Sequence, residues 1–151
     1  YGNGLFVAAA DNVTGNRVMT SGKAIYYPHY SERSLRSGSY SPVVTSVSNL
    51  DSATASLAQW YQIGNVVTVS GSVTVDPTST STNTALGLSL PVPSDFNSAG
   101  QCAGTAFSPA IASLGAAVLG DTTNNRAQIQ WMSTDTTNQT MYYNYTYTAR
   151  I

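Results

Sequence analysis

Residues able to carry covalent or metal chemistry are few in this chain and widely spaced. It has one histidine, His29, and one cysteine, Cys102. A zinc site takes three or four His, Cys or carboxylate ligands, which this pair cannot supply. A Ser-His-acid set would have to recruit His29 from an atypical N-terminal segment. The nearest approach to a nucleophile elbow, Gly87-Leu88-Ser89-Leu90-Pro91, lacks the closing glycine and lies in an alternating strand pattern. Glycoside hydrolysis needs two carboxylates about 5–10 Å apart. Asp11, Glu32, Asp51, Asp76, Asp95, Asp121 and Asp135 are all isolated, mostly at turns, where Asp bonds its own backbone. Two of these acids could meet only through the fold or across a subunit interface. The oxygen-rich runs 11–16 and 121–125 lack the spaced acids and terminal Glu of a calcium loop and read as capped turns. The expectation is a non-enzyme with no catalytic residue, no metal and no cofactor. Cys102 reads as a small buried hydrophobe, and a single cysteine excludes an intrachain disulfide. Asn12, Asn138 and Asn144 sit in glycosylation sequons, with no secretory context to give them weight.

Aromatic residues are the other source of chemistry. Trp131 shares a stripe with Ala127 and Ile129, so it belongs to a core. Tyr143, Tyr145 and Tyr147 form a second stripe, suited to a core or a subunit interface. Tyr142 and Trp60 project the other way and are the better candidates for an exposed contact, with burial an equal alternative for Trp60.

The elements that must hold these residues read as strands. Val67, Val69, Val73 and Val75 alternate with Thr68, Ser70, Ser72 and Thr74, giving one dry face and one hydroxyl face. Residues 40–47, 55–63, 86–90, 112–119, 127–131 and 141–147 alternate similarly, with turn signals between them, and no segment keeps a 3.6-residue period. Short strands at this spacing predict an all-β, antiparallel, jelly-roll-like β-sandwich. Residues 1–38 differ. They hold four of the six cations and the histidine, with short strand candidates at 5–7 and 23–27 around a turn at 11–16. This piece has too little apolar surface to fold alone.

Composition narrows the partners. Only 9% of the 151 residues are charged, against about 25% in ordinary domains. Twenty serines and nineteen threonines replace them, with ten tyrosines. The net charge is −1, and no basic stripe exists to neutralise phosphates, so nucleic acid is not an expected partner. No stretch approaches the ~18 apolar residues of a membrane span, so no membrane insertion is expected. Sheet edges are usually guarded by charge. A chain this poor in charge is expected to bury its edges in a homo-oligomer.

Several phrases resemble a known family. Ser39-Tyr40-Ser41-Pro42, the run from Trp60 to Gly71, Leu88-Ser89-Leu90-Pro91-Val92-Pro93-Ser94, Cys102-Ala103-Gly104, the run from Asn125 to Trp131, and Tyr143-Asn144-Tyr145-Thr146-Tyr147 occur in that order. Together they are similar to a C-terminal head domain of tailed-bacteriophage tail-fibre and tail-tip proteins, over about residues 39–151. The resemblance implies a trimeric β-sandwich on a virion that binds a host-surface receptor, often a glycan. Residues 1–38 would then be the junction to a shaft or anchor and contact other virion proteins. A purely structural virion component (head fibre, capsid decoration or baseplate part) is the alternative, and a glycan depolymerase a third reading. Loops carry recognition on rigid sandwiches, so the segments 76–83, 94–104 and 121–125 are the expected contact regions. The candidate receptor-binding residues are Trp60, Asp76, Ser79, Asn83, Asp95, Asn97, Asp121, Asn124, Asn125 and Tyr142.

Overall fold

The computed structural model describes residues 6–8, 17–20, 23–26, 35–111 and 114–150. The chain divides into two units, Tyr1–Ser34 and Leu35–Ile151. In the first, β1 (Phe6–Ala8), β2 (Arg17–Thr20) and β3 (Lys23–Tyr26) form an antiparallel meander. Two of these strands overlap the expected ones. The 11–16 turn and His29 lie outside the described residues.

The second unit is antiparallel β throughout. Its strands are β4 (Leu35–Tyr40), β5 (Val44–Ser48), β6 (Leu50–Ala55), β7 (Ala58–Ile63), β8 (Val66–Pro77), β9 (Asn83–Leu88), β10 (Cys102–Phe107), β11 (Gly115–Asp121), β12 (Arg126–Met132) and β13 (Gln139–Thr148). They make one ten-stranded sheet in the order β4-β7-β8-β13-β10-β11-β12-β9-β5, with β6 also paired to β8. Among the described residues the one helical element is a 3-10 turn, Ala99–Gln101, closed by a capping box from Ser98.

Two boundaries differ from the sequence reading. Leu35 to Gly38, grouped there with the N-terminal segment, are the first four of the six residues of β4 and pair with Ile63 to Trp60 of β7. Their side chains stay exposed, so backbone hydrogen bonding rather than an apolar pattern recruits them. The strand expected over 40–47 is broken at Ser41–Val43, where Pro42 has no N–H to give a ladder.

The alternation in β8 has the expected consequence. Val67, Val69, Val73 and Val75 are fully buried, while Thr68, Ser70, Ser72 and Thr74 face outward. Each buried valine contributes about 1.5–3 kcal/mol. The outward threonines form cross-strand hydroxyl pairs, Thr68 with Thr146 at 3.1 Å and Thr74 with Thr140 at 3.2 Å. On β13 the inward residues are Met141, Tyr143, Tyr145 and Tyr147. Their rings stack at 5.8 Å (Tyr143–Tyr145) and 6.1 Å (Tyr145–Tyr147). Gly71 makes room for this stack, since a Cβ there would lie 2.5 Å from the Tyr143 hydroxyl. The tyrosine and Trp131 stripes are therefore core, together with Leu86, Leu88 and Ile129. Tyr147 donates to the Val92 carbonyl at 2.7 Å, and Tyr40 reaches both the Tyr145 hydroxyl and the Ser89 carbonyl at 3.1 Å. Burial raises the pKa of Tyr40, Tyr143, Tyr145 and Tyr147, so all four phenols stay neutral; the Tyr143 hydroxyl alone among them has no hydrogen-bond partner among the described residues.

The sheet curls until it meets itself at one residue. β5 pairs with β9, β6 pairs with β8, and only Asn49 separates β5 from β6. Asn49 has φ +56°, a left-handed turn that Asn tolerates better than most residues. Its Nδ2 lies 2.7 Å from Thr84 Oγ1, 2.9 Å from the Ser79 carbonyl and 3.2 Å from Ser133 Oγ. Its Oδ1 accepts from the Ser79 N–H at 2.9 Å. Ser133 in turn bonds the Ser79 and Thr82 carbonyls. One amide thus ties the β5–β6 corner, the loop after β8, and β9. Asn49→Ala is expected to cost about 2–3 kcal/mol, because it removes these bonds and strains the backbone. Asn49→Gly should cost about 1 kcal/mol less, having no Cβ to strain. Urea unfolding of the two variants checks this; equal losses would rule out the backbone contribution.

Candidate functional site

Strand pairing places the loops nominated from sequence at opposite ends of the sheet. β8 and β13 pair from Val66–Thr148 to Val75–Gln139, a span of about 30 Å. Asp76, Ser79 and Asn83 lie at one end of it. Asp95, Asn97, Asp121, Asn124 and Asn125 lie at the other, where Asn125 Oδ1 accepts the Phe96 N–H at 2.8 Å and joins two of the loops.

Several of these residues are engaged locally. Ser79 is held by Asn49. Asp95 pairs with Arg150 at 3.0 Å, both well exposed. The Asn97 N–H donates to Gln101 Oε1 at 2.6 Å. Asp76 is half-buried on β8 opposite Ser52, and Asn83 opens β9 in an exposed position. Asp121 accepts from the backbone N–H groups of Thr123 and Asn124, from Asn124 Nδ2 at 2.8 Å and from Arg126 Nε at 2.8 Å. Desolvation acts to raise its pKa, but the hydrogen bonds from Asn124, Arg126 and Thr123 outweigh it and hold the carboxyl below its ordinary value.

The two exposed-aromatic candidates separate. Tyr142 faces outward, about half exposed, with its ring 5.9 Å from Phe107. Trp60 does not share that face. Its register partner is Val69, on the inward side, and its ring packs against the core under the Arg36 guanidinium at 5.7 Å. Gly38 permits this, since a Cβ there would lie 3.2 Å from the indole nitrogen. Parity on β13 does not decide the parity of β7, which only the pairing sets.

A broad concavity lies between the ends. A trough of about 870 Å³ runs over β4, β7, β8 and β13. Hydroxyls and amides line it: Ser37 and Ser39 from β4, Gln59 and Tyr61 from β7, Thr68 and Ser70 from β8, Asn144 and Thr146 from β13. The Trp60 side bordering it is the one sequence-nominated residue in this lining. Gln59 and Ser70 also line a second depression of about 410 Å³, which continues to Leu57, Ser72 and Tyr142. The combined groove therefore has Tyr61 near one end and Tyr142 at the other, with no charged residue in either lining. Such a surface can offer hydrogen bonds and ring faces, and it holds no carboxylate, thiol or imidazole. Tyr61 and Asn144 were not among the receptor-binding candidates read from the sequence. Asn144 alternates against the tyrosine stripe and so had to face outward, which is the signal that would have found it.

Cys102 is buried and its thiol pKa is pushed up to about 12 by desolvation. A thiol-reactive probe at pH 8 is therefore expected to label Cys102 only as fast as the protein opens; stoichiometric labelling of the native fold within seconds would contradict that burial. For Asp121 the sign is that of a lowered carboxylate. Its stabilisation is full above 3.8, the ordinary value, and is lost as pH falls through the lower folded value. Asp121→Asn is expected to cost about 1 kcal/mol at pH 7. That difference from the wild type should vanish in strongly acidic urea melts, and a gap independent of pH would refute the assignment.

No protein-family model matches the chain, and neither a curated protein nor a solved structure is significantly similar to it.

Proposed function

We propose that this chain is a virion fibre head of the tailed-phage type, trimeric, whose outer sheet face adheres to a neutral glycan on a host surface. The observation carrying this reading is the uncharged groove of β4, β7, β8 and β13. Neutral sugars present hydroxyls and C–H faces. Ser, Thr, Asn and Gln side chains complement the former, and Tyr61 and Tyr142 the latter. The ordered set of phrases from Ser39 to Tyr147 supplies the virion context. Three copies on one fibre raise avidity by ~10²–10⁴ when the sites engage together, which suits weak polar contacts.

A second reading, a purely structural virion component, is favoured by the apolar end of the same face. Leu35, Ile63 and Val66 are neighbours in register and exposed, beside the β4 edge, which nothing pairs among the described residues. An edge of this kind suits subunit packing.

Binding of the fluorescently labelled protein to intact host cells separates the two. Under the adhesion reading, Tyr61→Ala is expected to weaken binding about fivefold, the loss of one ring face, with unfolding unchanged. Absence of binding, together with no competition against virion adsorption, would sink that reading. A monomer in light scattering would remove the trimer.

A further inference from the structure

A smaller pocket of about 390 Å³ lies at the β9–β12 end of the sheet and shares no lining residue with the groove. Among the described residues, Arg126 is the one charged residue in its lining. The arginine side chain is mostly covered and lies across Gly87, where a Cβ would come within 2.4 Å of Nε. Asp121 holds Nε at 2.8 Å and so fixes the plane of the guanidinium. Nη1 and Nη2 make no hydrogen bond to any described residue, which leaves two donors on one edge of the fork.

Two further donors line the same pocket. Asn125 Oδ1 accepts the Phe96 N–H, which fixes the amide and leaves Nδ2 without a partner among the described residues. Ser89 Oγ accepts from the Val43 N–H at 2.9 Å, so its own proton is available. The pocket is thus rich in donors and supplies no carboxylate of its own. Val43, Leu90 and Pro93 form the apolar part of its wall.

We infer that this pocket binds the carboxylate of an acidic sugar, with the two oxygens on the Nη edge of Arg126. A guanidinium edge matches a carboxylate in a paired, planar contact. A singly charged group fits better than a dianionic phosphate, because Asp121 already offsets part of the one available positive charge. The volume lies at the low end of small-ligand sites, and the apolar wall suits the C–H face of a sugar ring. The site is independent of the neutral-glycan groove, and either can fail without the other.

The test is a titration of the ¹⁵N-labelled full chain at low ionic strength with glucuronate, glucose, acetate and phosphate. Glucuronate is expected to move the Arg126 Nε–H and Asn125 side-chain amide resonances saturably. Glucose should leave them in place, and acetate and phosphate should bind more weakly. Glucose acting like glucuronate, phosphate binding more tightly, acetate binding as tightly, or unmoved Arg126 and Asn125 resonances would each overturn the proposal. Arg126→Gln should lower glucuronate affinity at least about tenfold. Because that change also breaks the Asp121 pair, Asn125→Asp provides a second arm. It keeps the acceptor for Phe96 and replaces the Nδ2 donor with negative charge, so a similar loss is expected. Wild-type affinity in a folded Asn125→Asp variant overturns the proposal.

Discussion

The Asn49 corner is the constraint on which the curled sheet depends. A ten-stranded antiparallel sheet left open would expose two long edges, and this chain has almost no charge with which to guard them. The left-handed backbone at Asn49 turns one extended segment from the β9 edge to the β8 edge. The side-chain amide then replaces the ladder bonds interrupted there, through Ser79, Thr84 and Ser133. The two ends of the strand order, β4 and β5, each pair with a single neighbour and so keep an unpaired edge among the described residues.

Closure also explains how a core so rich in tyrosine is tolerated. Tyr145 and Tyr147 are almost fully buried, and each hydroxyl finds a partner supplied by an inward-turned segment: Tyr40 at the end of β4, and Val92 in the stretch after β9. A buried hydroxyl without a partner costs a few kcal/mol. The chain spends its polar residues twice, inside on these phenols and outside on the hydroxyl faces, which leaves the groove neutral. Among the described residues the ion pairs Asp121–Arg126 and Asp95–Arg150 both lie at the end of the sheet opposite Asp76.

Much of the second unit was legible in the residues. The valine–threonine alternation of β8, the tyrosine stripe of β13 and the Ala127-Ile129-Trp131 stripe each point one way only, because a period of two leaves one side for the core. Less was legible of β4 and β5. Leu35 to Gly38 carry no apolar pattern, and their place comes from hydrogen bonds to β7. Trp60 stayed open between an exposed contact and burial, because the side a strand residue faces is set by its register with the next strand. Asn49 sits in a Ser-Asn-Leu-Asp run that reads as an ordinary turn, and nothing local announces side-chain partners at three residues distant in sequence.

The amino-acid sequence by itself determined the antiparallel β class, the dry and wet faces of individual strands, and the scarcity of catalytic and metal-binding groups. These follow from residue type and a short-range period, which need no knowledge of neighbours. Tertiary structure decided which strands adjoin, and therefore that the loops nominated from the sequence split between two ends about 30 Å apart. It also decided that an uncharged groove forms between them and that Arg126 presents a free edge beside Asn125. Those arrangements depend on register and on long-range closure through Asn49, where residues 27 to 84 positions apart meet within hydrogen-bonding distance, as Thr78 with Asp51 and Asn49 with Ser133 do.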